Sequence, residues 1–388
     1  MKRRDGPVHY VSRRFPKLTE TFVVDEVLRL EAAGEHLIID SLEATLDEPR
    51  HPDLDRLDAP IRYVSEDPSS REVFRAHLPL ALRRPLTWLR TARQARVHDL
   101  WPEFRRAGIV AARTRAERAR HLHTHFAYYC ADVGGMAAAL AGRPFTLTVH
   151  ANDIWQMHNA PHLERRLSRA RAVVTVTEYN ARHIRSLVPG TPVHVVRCPV
   201  APAAQAPAPA GGPILCIGRF VPKKGTDLLI RALALLPESA RVELIGEGPL
   251  EGELRALAAS LGVEDSVDFL GPQPPGAVAE AYERCSVFCL PCRVAPDGDR
   301  DGLPVVLLEA LTRGLPVVTT FSFEPELVED GVTARVVSGE SPEALAAAIA
   351  SLMSDPELAG ELGRRGRDVV GKRVAQAPAT DAIRRIFA

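Results

Sequence analysis

The sequence predicts two doubly wound α/β domains joined by a short linker. Its 388 residues exceed what one hydrophobic core usually organises. Short β-branched runs alternate with helix-periodic stretches in both halves, the pattern of parallel βαβ winding. A stretch rich in Pro and Ala with no hydrophobic period, VAPAAQAPAPAGG at Val200 to Gly212, reads as a semi-rigid linker between them.

In the first half, residues 1–199, strands are expected at Val8 to Val11, His36 to Ser41, His121 to His125, Phe145 to Val149, Val173 to Val176 and Val193 to Val196, with a helix at Glu20 to Ala33. The second half, residues 213–370, alternates more cleanly. Strands are expected at Pro213 to Ile217, Arg241 to Ile245, Val267 to Leu270, Ser286 to Leu290, Pro316 to Thr319 and Ala334 to Val337. Helices fall at Thr226 to Leu236, Leu250 to Leu261, Val278 to Arg284, Leu303 to Thr312 and Pro342 to Met353. The last segment, within residues 371–388, reads as a helix returning to the first domain.

Composition narrows the function classes. Lys and Arg number 49, as do Asp and Glu, so no global pull on nucleic acid is indicated. No apolar run reaches the length of a membrane span. The start, MKRRDGPVHYV, passes directly into a strand without a long apolar core, which argues against a secretory signal and for a cytoplasmic chain. Six cysteines in such a chain read as free, buried thiols. Charge is uneven, however: Arg71 to Arg120 holds 13 arginines against four acidic residues, with Leu86, Trp88, Leu89, Val97, Leu100, Trp101 and Phe104 interleaved. That stretch is either a helical pair with a solvated Arg face or a patch that meets anionic lipid or an anionic acceptor at the inner face of a membrane.

Two segments of the second half carry chemistry. The first is Asp301-Gly-Leu-Pro-Val-Val-Leu-Leu-Glu309, where a loop rich in Asp and Gly feeds a helix beginning near Leu303. First-turn amides lack intrahelical partners and the helix dipole adds positive potential, a setting for a diphosphate. Eight residues of helix put the two carboxylates about 12 Å apart on roughly one side. A nucleotide sugar can lie along that element, with a carboxylate accepting from the vicinal ribose hydroxyls. The second is Gly218-Arg219-Phe220-Val221-Pro222-Lys223-Lys224-Gly225, between a strand and a helix. Glycine permits close backbone approach at the strand end, and Arg219 and Lys224 can both stabilise the charge that develops on a departing phosphate.

With these segments, LIGEGPL, GLPVV and PELVEDG complete a pattern that resembles the family 4 glycosyltransferases over most of residues 213–370. The resemblance implies a GT-B fold, two Rossmann-like domains facing a cleft. It implies transfer with retention of anomeric configuration and, usually, a UDP- or GDP-sugar donor without metal. The family's two glutamates are separated by seven residues; here the spacing is kept, with Asp301 at the first position. By resemblance Glu309 binds ribose, Arg219 and Lys224 bind the diphosphate, Gly302 and Leu303 offer amides, and the loop from Gly271 to Gln273 borders the base.

In the first half, FPKLTETF at Phe15 to Phe22, HLHTHF at His121 to Phe126 and FTLTVHAND at Phe145 to Asp153 resemble the exopolysaccharide (colanic acid-type) branch. The resemblance puts His150 beside the donor sugar, where it stabilises an oxocarbenium-like transition state through its ring or its backbone carbonyl. It implies front-face attack, with the leaving phosphate taking the acceptor proton and Asp301 facing the sugar. Asp153 orients the acceptor or His150, unless it is an Asx turn. Thr19 and Glu20 can contact the acceptor, and Thr19 also reads as a helix N-cap.

Two other clusters suggest metals and are read otherwise. His121, His123 and His125 alternate on one strand, but no carboxylate or cysteine joins them at ligand spacing. Cys285, Cys289 and Cys292 have a cluster-loop spacing, yet Ser286 to Leu290 is a buried-strand pattern. The sequence thus points to movement of a hexose or N-acetylhexosamine from a UDP-sugar (less readily a GDP-sugar) to a hydroxyl acceptor. That acceptor is a lipid-linked oligosaccharide or a small natural product. A GT-B epimerase, a phosphorylase and a non-catalytic nucleotide-sugar sensor are the readings from other classes.

Overall fold

A computed structural model describes residues 6–17, 20–44, 52–206, 208–320, 324–374 and 376–388. The chain divides into two compact units: residues 1–154, 158–196 and 377–388 form the first, and 155–157 with 197–376 the second.

The first unit is built on a parallel sheet of seven strands: β1 (Val8–Arg14), β2 (Leu37–Glu43), β3 (Ile61–Tyr63), β4 (His121–His125), β5 (Phe145–Val149), β6 (Ala172–Thr175) and β7 (Val193–Val195). Their order is β3-β2-β1-β4-β5-β6-β7. The winding reverses between β1 and β4, which makes their carboxyl ends a switch point. β4, β5 and β6 are buried throughout, as expected of strands covered on both faces. The three-residue β3 escapes sequence reading because it is short, lies at the sheet edge and is only partly buried.

The basic stretch forms three helices rather than a pair: Ser70–Arg83, Pro85–Val97 and Trp101–Ala116. Pro85 occupies the first turn of the second helix, where its missing N–H costs nothing, so the chain restarts there instead of continuing. The arginines are not all solvated. Arg106 is buried and donates to the carbonyl of Leu42. Arg113 pairs with the buried Asp40 at 2.8 Å. The C-terminal helix Gln376–Ile386 belongs to the first unit. There Phe387 packs against Tyr10, His121 and His123, and Arg384 and Arg120 both reach Glu35.

The second unit has a parallel sheet of six strands: β8 (Ile214–Ile217), β9 (Val242–Ile245), β10 (Val267–Gly271), β11 (Val287–Leu290), β12 (Val317–Thr319) and β13 (Arg335–Val336). The order is β10-β9-β8-β11-β12-β13, with the reversal between β8 and β11. The Pro/Ala-rich stretch is irregular but not free. Val200 and Ala206 are buried in the core of this unit, and Ala206 donates its N–H to the Arg313 carbonyl at 2.8 Å. A helix at Pro356–Arg373 continues the winding beyond the elements read from sequence. Among the described residues, no helix is long and apolar enough to cross a membrane.

Candidate active site

The switch point of the second unit gathers most of the expected donor residues. The loop leaving β8 carries Gly218 to Gly225, and the loop leaving β11 carries residues 291–304. Gly225 ends a single turn, Pro222–Lys224, at φ +62. A Cβ at that position would come within 2.0 Å of the Pro291 carbonyl, so only glycine lets the two loops lie this close. Arg293 fastens them further, donating its N–H to the Lys223 carbonyl at 2.9 Å and pairing with Asp227 at 2.7 Å.

Within this seam Lys224 Nζ sits 2.7 Å from Asp301 Oδ2, and Lys223 Nζ lies 3.1 Å from Asp299 and 3.4 Å from Asp301 Oδ1. The Cys292 thiol donates to Asp301 at 3.3 Å. Burial alone would raise the Asp301 carboxyl, but Lys224 and Lys223 outweigh it and hold it at about 2. Burial would likewise lower the Lys224 ammonium, yet Asp301 raises it above its ordinary value. Both groups are charged at neutral pH. A Cβ on Gly218 would stand 3.3 Å from Lys224 Cε, so the glycine leaves the lysine stem room to cross the end of β8. Arg219 is exposed in the same loop, whereas Gly302 is buried and Leu303 partly so.

The helix after the acidic loop begins at Val305, not Leu303. Pro304 takes the cap position in an extended conformation, which holds Leu303 out of the helix. Glu309 lies in the middle of Val305–Thr312, where the Tyr282 hydroxyl donates to its Oε2 at 3.1 Å. The Arg313 guanidinium covers the Tyr282 ring at 4.5 Å. Tyr282 has no sequence signal of its own, because its role comes from a helix 27 residues away from Glu309. Gly218, Gly246 and Gly271 mark the carboxyl ends of β8, β9 and β10. Gly246 donates to Gly271 at 3.0 Å, and a Cβ on Gly246 would meet the Gly218 carbonyl at 2.1 Å.

The three neighbouring cysteines lie in the hydrophobic core. Burial pushes the Cys285 thiol up to about 12 and those of Cys289 and Cys292 well up. Cys289 stands inside β11, Val287–Leu290, buried throughout, so it is fixed in the sheet rather than carried on a cluster-binding loop.

The expected residues of the first unit gather at its own switch point. His150 follows β5. Its N–H donates to Asp153 Oδ1 at 2.9 Å, and its carbonyl accepts from the Asn180 amide. Asp153 is fully buried, and its other oxygen accepts the Ala127 N–H at 2.8 Å. Both carboxylate oxygens therefore cap backbone, so Asp153 holds the His150 turn in place. Burial raises its carboxyl to about 6 against the pull of those amides. Glu20 pairs with Lys17 at 2.8 Å and itself occupies the helix cap position. Thr19 lies outside the described residues.

The histidine strand gains a carboxylate after all. Glu26, 99 residues before His125, accepts from its Nε2 at 3.0 Å. Glu26, His123 and His125 place ligand-type atoms within 4.8 Å of one another, a proximity that sequence spacing missed because Glu26 arrives from the helix after β1. The His123 nitrogens face the Thr146 and Thr148 hydroxyls at 2.8 and 3.1 Å, so its ring is engaged by hydrogen bonds.

Residues 208–369 match the family model of the glycosyl transferases group 1. A GDP-mannose-dependent alpha-(1-6)-phosphatidylinositol monomannoside mannosyltransferase of Mycolicibacterium smegmatis is 39% identical over 160 residues, 40% of this chain and 42% of that protein. The chain thus spans under half the length of that relative. A putative colanic acid biosynthesis glycosyltransferase, WcaL of Salmonella typhimurium, is 26% identical over 88% of this chain and 89% of its own. Among solved structures, HepE of Anabaena in complex with UDP superposes with a TM-score of 0.74 at 16% identity, covering 98% of both chains. That likeness carries the GT-B fold.

Proposed function

We propose, from the premise that this chain belongs to the glycosyl transferases group 1 through residues 208–369, that it moves a hexose or N-acetylhexosamine from a nucleoside diphosphate sugar to a hydroxyl acceptor with retention of configuration. The observation that carries this reading is the charged seam at the β8/β11 switch point, with Lys224 and Asp301 2.7 Å apart. A diphosphate entering there meets the half-buried Lys224 ammonium and an exposed Arg219. As the sugar departs, charge accumulates on the β-phosphate, and these cations stabilise it, Lys224 from a position already held by Asp301. They do the work that a divalent ion does elsewhere, so turnover is expected to persist in EDTA. Asp301, held by Lys223, Lys224 and Cys292, accepts from sugar hydroxyls with its remaining lone pairs, and Glu309, oriented by Tyr282, from the ribose.

His150, with its backbone pinned on both sides, is assigned to the transfer step. The leaving phosphate takes the acceptor proton. The uridine donor read from the sequence has the support of a fold-level neighbour that binds UDP. A guanosine donor is the second reading, because the GDP-mannose-dependent relative resembles this chain at 39%. The full-length likeness to a colanic acid enzyme supports a place in surface polysaccharide synthesis, with a lipid-linked oligosaccharide as acceptor.

Thermal shift of the full chain with UDP, GDP and their sugars tests the donor, followed by chromatography of the released nucleotide. Stabilisation by one nucleoside diphosphate and slow release of it from its sugar are expected. Lack of response to every nucleotide sugar overturns the assignment. Release of the free nucleoside diphosphate with an epimerised sugar, or a requirement for inorganic phosphate, points to the epimerase or phosphorylase class instead.

A further inference from the structure

At the switch point of the first unit, side chains from four elements form one chain of hydrogen-bonding contacts. The Tyr10 hydroxyl on β1 donates to Glu26 Oε1 at 2.8 Å. The same oxygen lies 3.0 Å from His125 Nε2, at the end of β4. His125 Nδ1 in turn lies 3.2 Å from His150 Nε2, just past β5. The His150 ring is also boxed. Phe22 and Phe126 each stand 4.6 Å away between ring centroids, and His125 is stacked at 5.5 Å. Phe126 holds φ +69, a conformation that a bulky residue adopts only under constraint, so its ring is delivered to this place at a cost.

We propose that Glu26 and His125 are positioning residues that fix the tautomer of His150, leaving its Nδ1 as a bare acceptor for a hydroxyl of the transferring sugar or of the acceptor. The argument follows the protons. Glu26 accepts only, and burial notwithstanding, its contacts with His125 and Tyr10 keep its carboxyl below the ordinary value. The proton on a neutral His125 therefore sits on Nε2, facing the carboxylate. Its Nδ1 is then a lone pair, and the hydrogen of the 3.2 Å contact has to come from His150 Nε2. Burial pushes the His150 imidazolium down to about 3, so at pH 8 His150 carries that one proton and no other. A carboxylate that sets a histidine's tautomer through its far nitrogen is general imidazole chemistry; here it acts through a second ring.

The catalytic use of this relay rests on His150 belonging to the transfer site, but the tautomer does not. The full chain is labelled with 15N-histidine and its long-range 1H–15N imidazole correlations are recorded at pH 8, with the His150 signals assigned by their loss in His150→Gln. The expected spectrum has His150 protonated at Nε2 alone. A proton on Nδ1 in the unaltered chain overturns the proposal without any variant. In Glu26→Gln, whose amide can also donate, the His150 tautomers are expected to mix, and Glu26→Asp is expected to recover part of the original signal. An unchanged tautomer in Glu26→Gln overturns the relay. In turnover, Glu26→Gln is expected to lower kcat about 10-fold with donor KM within about 2-fold. A mixed tautomer with unchanged kcat removes the catalytic use and keeps the relay. Absence of any turnover in the unaltered chain sinks the transferase reading and leaves the imidazole result standing.

Discussion

Asp301 and Lys224 are opposite charges withdrawn from water, each about one-seventh exposed, at 2.7 Å. Removing Lys224 leaves Asp301 with only the longer 3.4 Å ion pair to Lys223, and a buried charge that loses its nearer partner costs more than the pair contributes. Asp301 falls from 3.8 to about 2 in the folded chain, a difference of about 2 kcal/mol. Because the folded value is depressed, that stability is present above pH ~4 and lost as pH falls through about 2. Lys224→Ala should therefore be less stable than the unaltered chain at pH 7, with the gap closing toward pH 2 in denaturant melts. A gap independent of pH would mean the pair does not act as argued. The same variant and Glu309→Ala should each lower turnover by about 10²-fold or more, since each removes a charged group proposed to contact the donor. Near-normal rates in both refute the assigned donor site. Asp153 is a different case. Its two oxygens cap two backbone amides in a buried turn, so Asp153→Ala should cost about 2–4 kcal/mol by orphaning both, read as a drop in Tm. The sequence brought Lys224, Asp301 and Glu309 forward because they lie in dense local segments. Glu26 and Tyr282 stayed hidden because each meets its partner across a sheet or from another helix, and no spacing records that.

Elements place these residues through close backbone approach, and the glycines show where approach matters. Gly225 and Gly262 both have positive φ, +62 and +69. A Cβ on Gly225 would strike the Pro291 carbonyl at 2.0 Å, whereas nothing lies within 4 Å at Gly262. Gly262→Ala should cost only the left-handed conformation, about 1 kcal/mol, and leave turnover intact. Gly225→Ala must in addition part the β8 and β11 loops, so it should be less stable than Gly262→Ala and lower turnover by about 10-fold or more through Lys224. Equal Tm losses and equal rates in the two variants would show that the loop seam does not position the lysine. Strand periodicity made these elements readable. Among the described residues, twelve of the thirteen strands are legible as short runs between turn signals, most plainly β5, β6, β8 and β11, which are buried throughout. The boundaries were less legible. Pro85 restarts the chain so that the basic stretch forms three helices where a pair is read, and Pro304 delays the helix expected from Leu303.

For the molecule as a whole, the feature not accounted for by donor chemistry is the outer face of the helices Ser70–Arg83 and Pro85–Val97. Phe74, Leu78 and Leu82 recur every four residues and are 62, 42 and 75% exposed; Leu86, Leu89 and Val97 continue the stripe at 69, 58 and 71%. Arg71, Arg75, Arg83, Arg90, Arg93 and Arg96 are exposed around them. Such a stripe in contact with water forfeits part of the about 1.5–3 kcal/mol that full burial gives each large side chain, and the arginines repel one another. If this face meets an anionic bilayer, both problems are resolved at once, with the leucines in the headgroup boundary and the guanidinium groups facing lipid phosphates. The second helix is closed onto the first by the Trp88 indole donating to His77 at 3.0 Å, so the stripe is presented on a fixed scaffold. The chain should float with vesicles containing acidic lipid and not with neutral ones, and salt should weaken the binding because each arginine contributes about 1 kcal/mol near a charged surface. Leu82→Glu with Leu86→Glu should abolish flotation while leaving Tm and nucleotide binding unchanged, since neither residue packs in the core. If the double variant floats as well as the unaltered chain, or the unaltered chain does not float at low salt, the face is only a solvated helix surface. The acceptor is then to be sought among small molecules in solution.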